Sequence, residues 1–308
     1  MSERVVYFNG RIIPEREARV SIFDSALQLG DMAFEVTRTY HGEPYRLRDH
    51  LRRLWNSMTA LSIEPGLTAD ELERITLEVL AQNRATETPD VDWNVIHDIS
   101  RGPASAFREA FAPDELRPTV IVACYPLAAK MAALAPAYET GVDLVVPAQR
   151  SLPTDLFDSA IKCRSRAHYQ LANLQAHAIR PGSTAVLLDP AGFITEGTSG
   201  NVFFVHGGRL LTPTARNILP GITRGVVLDL AARLGIPALE TDVPLAEALA
   251  AEEMFVTSTS IGILHARTFE GLAVGNGSLG LITAQLRAAL TTEVGLDFAA
   301  QAKAYAAK

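Results

Sequence analysis

Apolar and polar positions change period in short blocks along this chain. Residues 5–8 and 11–13 are apolar-rich, and Asn9-Gly10 between them supplies the positive φ angles of a tight turn, so the three pieces read as a β-hairpin. Residues 34–40 form a second extended run that stops at His41-Gly42 and resumes over 45–47. Leu51, Leu54, Met58 and Leu61 then recur at helical spacing, with Asp49 placed to cap the helix. Thr68-x-x-Glu71 is a capping box ahead of Leu72, Ile75 and Val79. Trp93, Val95, His97 and Ile99 alternate as in a strand, and 119–125 is almost wholly apolar.

The stretch 126–141 is rich in Ala, carries two prolines and shows little periodicity, so it reads as a connection between domains. Beyond it, strands are expected near 142–146, 185–189, 201–206, 209–212 and 254–256, with Gly207-Gly208 closing a hairpin. Helices are expected from near Ser165, over 223–234 up to Gly235, and over about 278–292. The expected organisation is a small α/β domain at 1–126, a connection at 127–140 and a larger domain at 141–308, of α+β or α/β class.

Composition narrows the function. Hydrophobic residues at 48% and charged residues at 20% are ordinary globular values and exclude a disordered or fibrous chain. The net charge of -7 argues against a nucleic-acid partner, though it leaves room for a local phosphate pocket. The two cysteines, Cys124 and Cys163, build no disulfide framework, and no spacing suggests a metal site. Neither an apolar leader nor a membrane span is evident, and the expected compartment is the cytoplasm.

Several segments carry possible chemistry. Gly221-Ile222-Thr223-Arg224 opens an amphipathic helix, whose free first-turn amides suit an anion, best a phosphate; a plain Pro-Gly turn capped by Thr223 fits the same residues. Lys162 stands among Ala160, Ile161 and Cys163, where it is either a desolvated amine that attacks carbonyls or an ordinary snorkelling lysine. Glu196, in a segment joining a strand end to an apolar strand, either faces a buried cation or lies in a solvated turn. The hydroxyls of 257–260 and the pair Arg52-Arg53 are phosphate ligands, or a strand end and a solvated helix face. No Ser-His-Asp order, zinc-protease motif, Walker loop or dinucleotide fingerprint is present.

Taken in order, these motifs resemble the class IV (fold type IV) pyridoxal-phosphate aminotransferases, from Val6 to about Gly271. The resemblance implies a two-domain chain, assembled as a homodimer or higher oligomer, with pyridoxal 5′-phosphate as cofactor. It makes Lys162 the lysine that binds the cofactor covalently and moves the substrate proton, and Glu196, in Gly-x-x-x-Glu-Gly-x-x-x-Asn, the partner of the pyridine nitrogen. It makes Arg53, the backbone of Ile222 and Thr223, and Thr259 the phosphate ligands. The implied reaction moves an amino group from an amino acid or primary amine to a 2-oxo acid.

Two departures bear on the substrate. Branched-chain enzymes commonly carry a tyrosine five residues after the lysine, where this chain has Ala167, with Tyr169 two further on. Ile99-Ser100-Arg101-Gly102 is more similar to the D-amino-acid, (R)-amine and aminodeoxychorismate-lyase branches. A D-amino-acid-type substrate is therefore expected, with Phe34, Arg101, Arg108 and Arg166 as candidate substrate contacts. Aminodeoxychorismate lyase and branched-chain L-amino-acid aminotransferase are the alternatives.

Overall fold

The computed structural model describes residues 3–88 and 90–308. The chain divides into two compact units. One runs to Leu127 and includes Ile161–Arg166; the other comprises Ala128–Ala160 and Ala167–Lys308.

The N-terminal unit contains β1 (Val5–Phe8), β2 (Arg11–Pro14), α1 (Ser25–Leu29), β3 (Met32–Tyr40), β4 (Glu43–Pro44), α2 (Leu47–Ala60), α3 (Ala69–Arg84), β5 (Trp93–Ser100) and β6 (Thr119–Pro126). The strands form one antiparallel sheet in the order β2-β1-β6-β5-β3-β4. Asn9 (φ 47°) and Gly10 (φ 97°) make the expected tight turn. The Thr68–Glu71 capping box forms in full at the start of α3. Helix α2 starts earlier than its pattern suggests: Leu47 is already helical, after Arg46 in the left-handed region, and Asp49 lies in the first turn rather than at the cap.

Helices α2 and α3 cover one sheet face and bury Leu51, Leu54, Met58, Leu72 and Val79 against Ala33, Val95 and Ile99. Polar groups share this core. Glu35 is fully buried, and both its oxygens are used: Arg53 Nε and Nη2 donate to Oε2 and Oε1 at 2.8 and 2.7 Å, and His50 Nδ1 donates to Oε1 at 3.1 Å. Burial opposes ionisation of Glu35, but the Arg53 charge and the His50 hydrogen bond outweigh it and hold the carboxyl well below the usual range. His97, opposite Glu35 on β5, lies 2.8 Å by Nε2 from Thr76 Oγ1. That hydroxyl spends its proton on Leu72 O, so Nε2 is the donor; Nδ1 has no hydrogen-bond partner among the described residues.

The C-terminal unit begins with α4 (Ala128–Thr140), followed by β7 (Val142–Val145), α5 (Ala167–Ile179), β8 (Thr184–Leu188), β9 (Phe193–Gly197), β10 (Asn201–His206) and β11 (Arg209–Thr212). Then come α6 (Ile222–Arg233), β12 (Ala238–Glu240), β13 (Val243–Pro244), α7 (Leu245–Leu249), β14 (Glu253–Ser258), β15 (Gly262–Phe269), β16 (Leu272–Ala273), α8 (Leu281–Val294) and α9 (Phe298–Ala306). A mixed sheet runs β12-β11-β10-β14-β15-β7-β8-β9-β13, with β16 on β15. Its pairs are parallel at β11–β12, β15–β7 and β7–β8 and antiparallel elsewhere, so the two units together are α+β.

The irregular connection expected at 127–140 is instead helix α4, which packs on α9 and buries Met131, Ala135 and Tyr138. Strong alanine propensity and that packing outweigh the backbone hydrogen bond lost at Pro136. The segment Ile161–Arg166, expected with the C-terminal domain, belongs to the N-terminal unit because its backbone pairs with β3.

Burial pushes the His97 pKa from 6.5 down to about 4, against the pull of Glu35. An unfolded histidine takes its proton near 6.5, so this site stabilises the fold fully above that pH and loses its contribution as pH falls towards 4. The difference corresponds to about 3 kcal/mol. Urea unfolding should therefore show stability rising from pH 4 to 7, with His97→Gln removing a part of that size; an unchanged slope in the variant would contradict the assignment.

Candidate active site

Segment 162–164 runs extended beside the N-terminal half of β3. Phe34 N donates to Lys162 O at 3.0 Å, Arg164 N donates to Met32 O at 2.9 Å, and Ala33 pairs antiparallel with Cys163. Alternate side chains of an extended chain share a face, so Lys162 and Arg164 both stand on the side of Phe34. Lys162 Nζ lies 4.4 Å from the centre of the buried Phe34 ring, Arg164 Cζ 3.9 Å and Arg166 Cζ 5.6 Å. Lys162 N also donates to Ser57 Oγ at 3.0 Å, and that hydroxyl donates to Arg53 O. One serine thus ties the lysine backbone to the turn of α2 that carries Arg53. The Arg53 side chain is set in turn by Glu35, whose two oxygens take its Nε and Nη2.

The other N-terminal candidates separate. Arg101 is committed: Nε and Nη2 donate to Asp31, Nη1 to Ser62 O and Nη2 also to Leu61 O. Its fork crosslinks Asp31 and the end of α2. Arg108 is exposed on the 3₁₀ turn Ser105–Ala110.

In the C-terminal unit, Glu196 lies on β9 and is 7% exposed, so it is not in a solvated turn. Tyr169 Oη donates to its Oε1 at 2.8 Å, and Asn201 Nδ2 and Leu219 N each donate to Oε2 at 3.1 Å. Three donors are the partners an ionised carboxylate wants. Asn201 also donates to Leu219 O, and it pairs with Thr257 across β10 and β14. Gly221 is the N-cap of α6, and a Cβ there would fall 2.0 Å from Asn201 Oδ1. The glycine therefore makes room for Asn201.

Thr223 does not cap α6. The helix has no side-chain cap, so the amides of Ile222 and Thr223 lack an intrahelical acceptor at its positive end. Thr259 is half-buried in the turn after β14, two residues beyond the partner of Asn201. Glu196, the α6 N-terminus and the 257–260 turn are thus organised around one asparagine. An uncapped helix start with neighbouring hydroxyls fits a phosphate, and an oriented buried carboxylate fits a protonated ring nitrogen; the donor set suits pyridoxal phosphate.

Four residues had been given no such part by the sequence: Glu35, Ser57, Arg164 and, as a ligand of Glu196, Tyr169. Arg164 was legible in principle, two residues after Lys162 in an extended segment. Tyr169 is in the first turn of α5, and its reach to Glu196 depends on how that helix meets β8 and β9.

Among the described residues no group of side chains is arranged to hold a metal, and no helix is long and apolar enough to cross a membrane. The family model of the class IV amino-transferases matches residues 32–269. A Methanocaldococcus jannaschii protein, named as a candidate branched-chain-amino-acid aminotransferase, is 32% identical over 285 residues, covering 92% of this chain and 93% of that one. The crystal structure of the Escherichia coli branched-chain amino acid aminotransferase superimposes with a TM-score of 0.82 at 28% identity, covering 94% of each chain. The branched-chain aminotransferase of Thermoproteus uzoniensis, solved with norvaline, gives 0.82 at 28% identity over 96% of each. With the sequence motifs, the fold and full-length relatives in agreement, the chain belongs to the class IV aminotransferases and is a pyridoxal-phosphate-dependent enzyme.

Proposed function

We propose that this enzyme moves the amino group of a branched-chain L-amino acid to a 2-oxo acid by a ping-pong cycle. The observation that carries the reading is the likeness, over more than nine-tenths of the chain, to branched-chain aminotransferases in both sequence and structure. The expected D-amino-acid preference leaned on the tyrosine missing at 167 and on Ser100-Arg101-Gly102, and the Arg101 guanidinium is engaged by Asp31 and two carbonyls. With that arginine spent, the branched-chain alternative is the better supported.

In this reading Arg53, Thr259 and the amides of Ile222 and Thr223 hold the cofactor phosphate, Lys162 anchors the cofactor, and Glu196 faces its ring nitrogen. When bound, pyridoxal phosphate supplies the electron sink for the charge left at the substrate Cα. Lys162 Nζ takes the proton from Cα. Tyr169, Asn201 and Leu219 N fix the Glu196 carboxylate, so its charge is oriented before substrate arrives. The assembly belongs to the same proposal: a homo-oligomer in the cytoplasm. Ile22, Leu27 and Leu29, exposed in and beside α1, support an interface between copies.

Three measurements test this. Purified holoenzyme with 2-oxoglutarate should consume L-leucine, L-isoleucine or L-valine faster than D-alanine or D-glutamate; the reverse order restores the D-amino-acid reading, and pyruvate release from aminodeoxychorismate without amino transfer makes the enzyme a lyase. Lys162→Ala should abolish turnover while retaining cofactor through the phosphate ligands, and multiple turnovers near the parent rate would remove Lys162 from its role. Glu196→Gln should slow exchange of the leucine α-proton by about 10²-fold or more, with cofactor still bound. An unchanged exchange rate would detach Glu196 from the chemistry.

A further inference from the structure

A lysine amine hangs on a flexible four-carbon stem, so its place is decided first by where the backbone beneath it is rooted. Two elements hold that root at Lys162. Its carbonyl accepts from Phe34 N of β3 at 3.0 Å, and its amide donates to Ser57 Oγ of α2, also at 3.0 Å. The first bond belongs to a backbone ladder. The second depends on one side chain.

Ser57 is 1% exposed, on the face of α2 that buries Leu54 and Met58 in the N-terminal core. A hydroxyl inside a helix can return its proton to the carbonyl four residues back. Ser57 does so to Arg53 O at 3.0 Å, as Thr76 does to Leu72 O on α3. With that proton committed, the oxygen can only accept from a further partner. The group it meets is the amide of a residue 105 positions along the chain. A residue without an acceptor at 57 would take from the Lys162 N–H the partner that a backbone amide requires. The turn of α2 that Ser57 closes also carries Arg53, whose fork is fixed by Glu35. The serine thus sets the lysine backbone at a fixed spacing from the arginine that the proposed function gives to the same ligand.

We propose that Ser57 is a positioning residue: by holding Lys162 N, it places the lysine amine for the aldehyde of pyridoxal phosphate. The proposal rests on Lys162 being the cofactor anchor of the proposed function. In the step it serves, the amine nitrogen bonds to the aldehyde carbon as C=N and the aldehyde oxygen leaves as one water, with no change of oxidation state.

The test uses the full chain after cofactor removal and two probes. Pyridoxal 5′-phosphate carries the aldehyde. 4-Deoxypyridoxine 5′-phosphate has a methyl group in its place and reports the phosphate and ring contacts alone. Ser57→Ala should weaken pyridoxal phosphate binding by about tenfold, the factor carried by one hydrogen bond, and slow its condensation, followed by visible absorbance, to a similar extent. Affinity for the deoxy compound should change by less than about twofold. Ser57→Cys keeps the side-chain size but is a poor hydrogen-bond partner, and should lose pyridoxal phosphate in the same way. In a Lys162→Ala background, adding Ser57→Ala should leave both affinities unchanged, because the residue through which Ser57 acts is gone. Melting temperatures report that each variant is folded, and Ser57→Cys decides alone if Ser57→Ala does not fold. Parent-like affinity for pyridoxal phosphate in folded Ser57→Ala overturns the proposal. An equal loss for both probes also overturns it, making Ser57 a support of the fold, and so does a parent-like Ser57→Cys, which makes volume the property that matters. If the parent condenses with pyridoxal phosphate in a Ser57-dependent way yet moves no amino group from L-leucine, the proposed function falls and the positioning role stands. If it transaminates L-leucine and Ser57→Ala leaves both affinities untouched, the positioning role falls and the function stands.

Discussion

Two backbone hydrogen bonds, from Phe34 N to Lys162 O and from Arg164 N to Met32 O, decide where the Lys162 amine stands. They pair the lysine segment with β3 and make six residues, Ile161–Arg166, part of the N-terminal unit. The ladder fixes more than position. Because an extended chain alternates its side chains, it sends Lys162 and Arg164 to the Phe34 side and Cys163 to the other, where the thiol is buried. The third tie, from Lys162 N to Ser57 Oγ, brings in α2 and with it Arg53.

The chain buries two carboxylates for different ends. Glu35 meets a guanidinium and an imidazole inside the N-terminal core, and the opposite charge makes its ionisation affordable there. Breaking such a pair by removing one member is costly, since the survivor is left charged in an apolar medium. The arrangement therefore holds Arg53 in one orientation. Glu196 is bound by a hydroxyl, an amide and a backbone N–H. Neutral donors orient a carboxylate without cancelling its charge, which suits the part proposed for Glu196 at a ring nitrogen.

Asn201 performs in the C-terminal unit what Ser57 performs in the other. Its Nδ2 bridges Glu196 and Leu219 O, its Oδ1 occupies the space that a side chain at residue 221 would need, and its strand position aligns β10 with Thr257. An alanine at 221 would meet that oxygen, so the glycine is required by close packing rather than by an unusual backbone angle, its φ being -65°.

Sequence alone determined whatever depends on neighbours in the chain. The Asn9-Gly10 turn, the Thr68–Glu71 box, the apolar stripe of α2 and the alternation of β5 are local, and each formed as read. The ordered motifs around Lys162, Glu196 and Gly221 were likewise enough to place the chain in its family. What only the tertiary structure decided are the relations between residues far apart in sequence. Nothing local says that Arg101 is spent on Asp31 and the end of α2, that Arg164 stacks on Phe34, that Tyr169 reaches Glu196, or that an Ala-rich stretch with two prolines becomes a helix against α9. Propensity and periodicity register the chain's own geometry, whereas a hydrogen bond across 70 residues exists only once the sheet and its helices have closed around it.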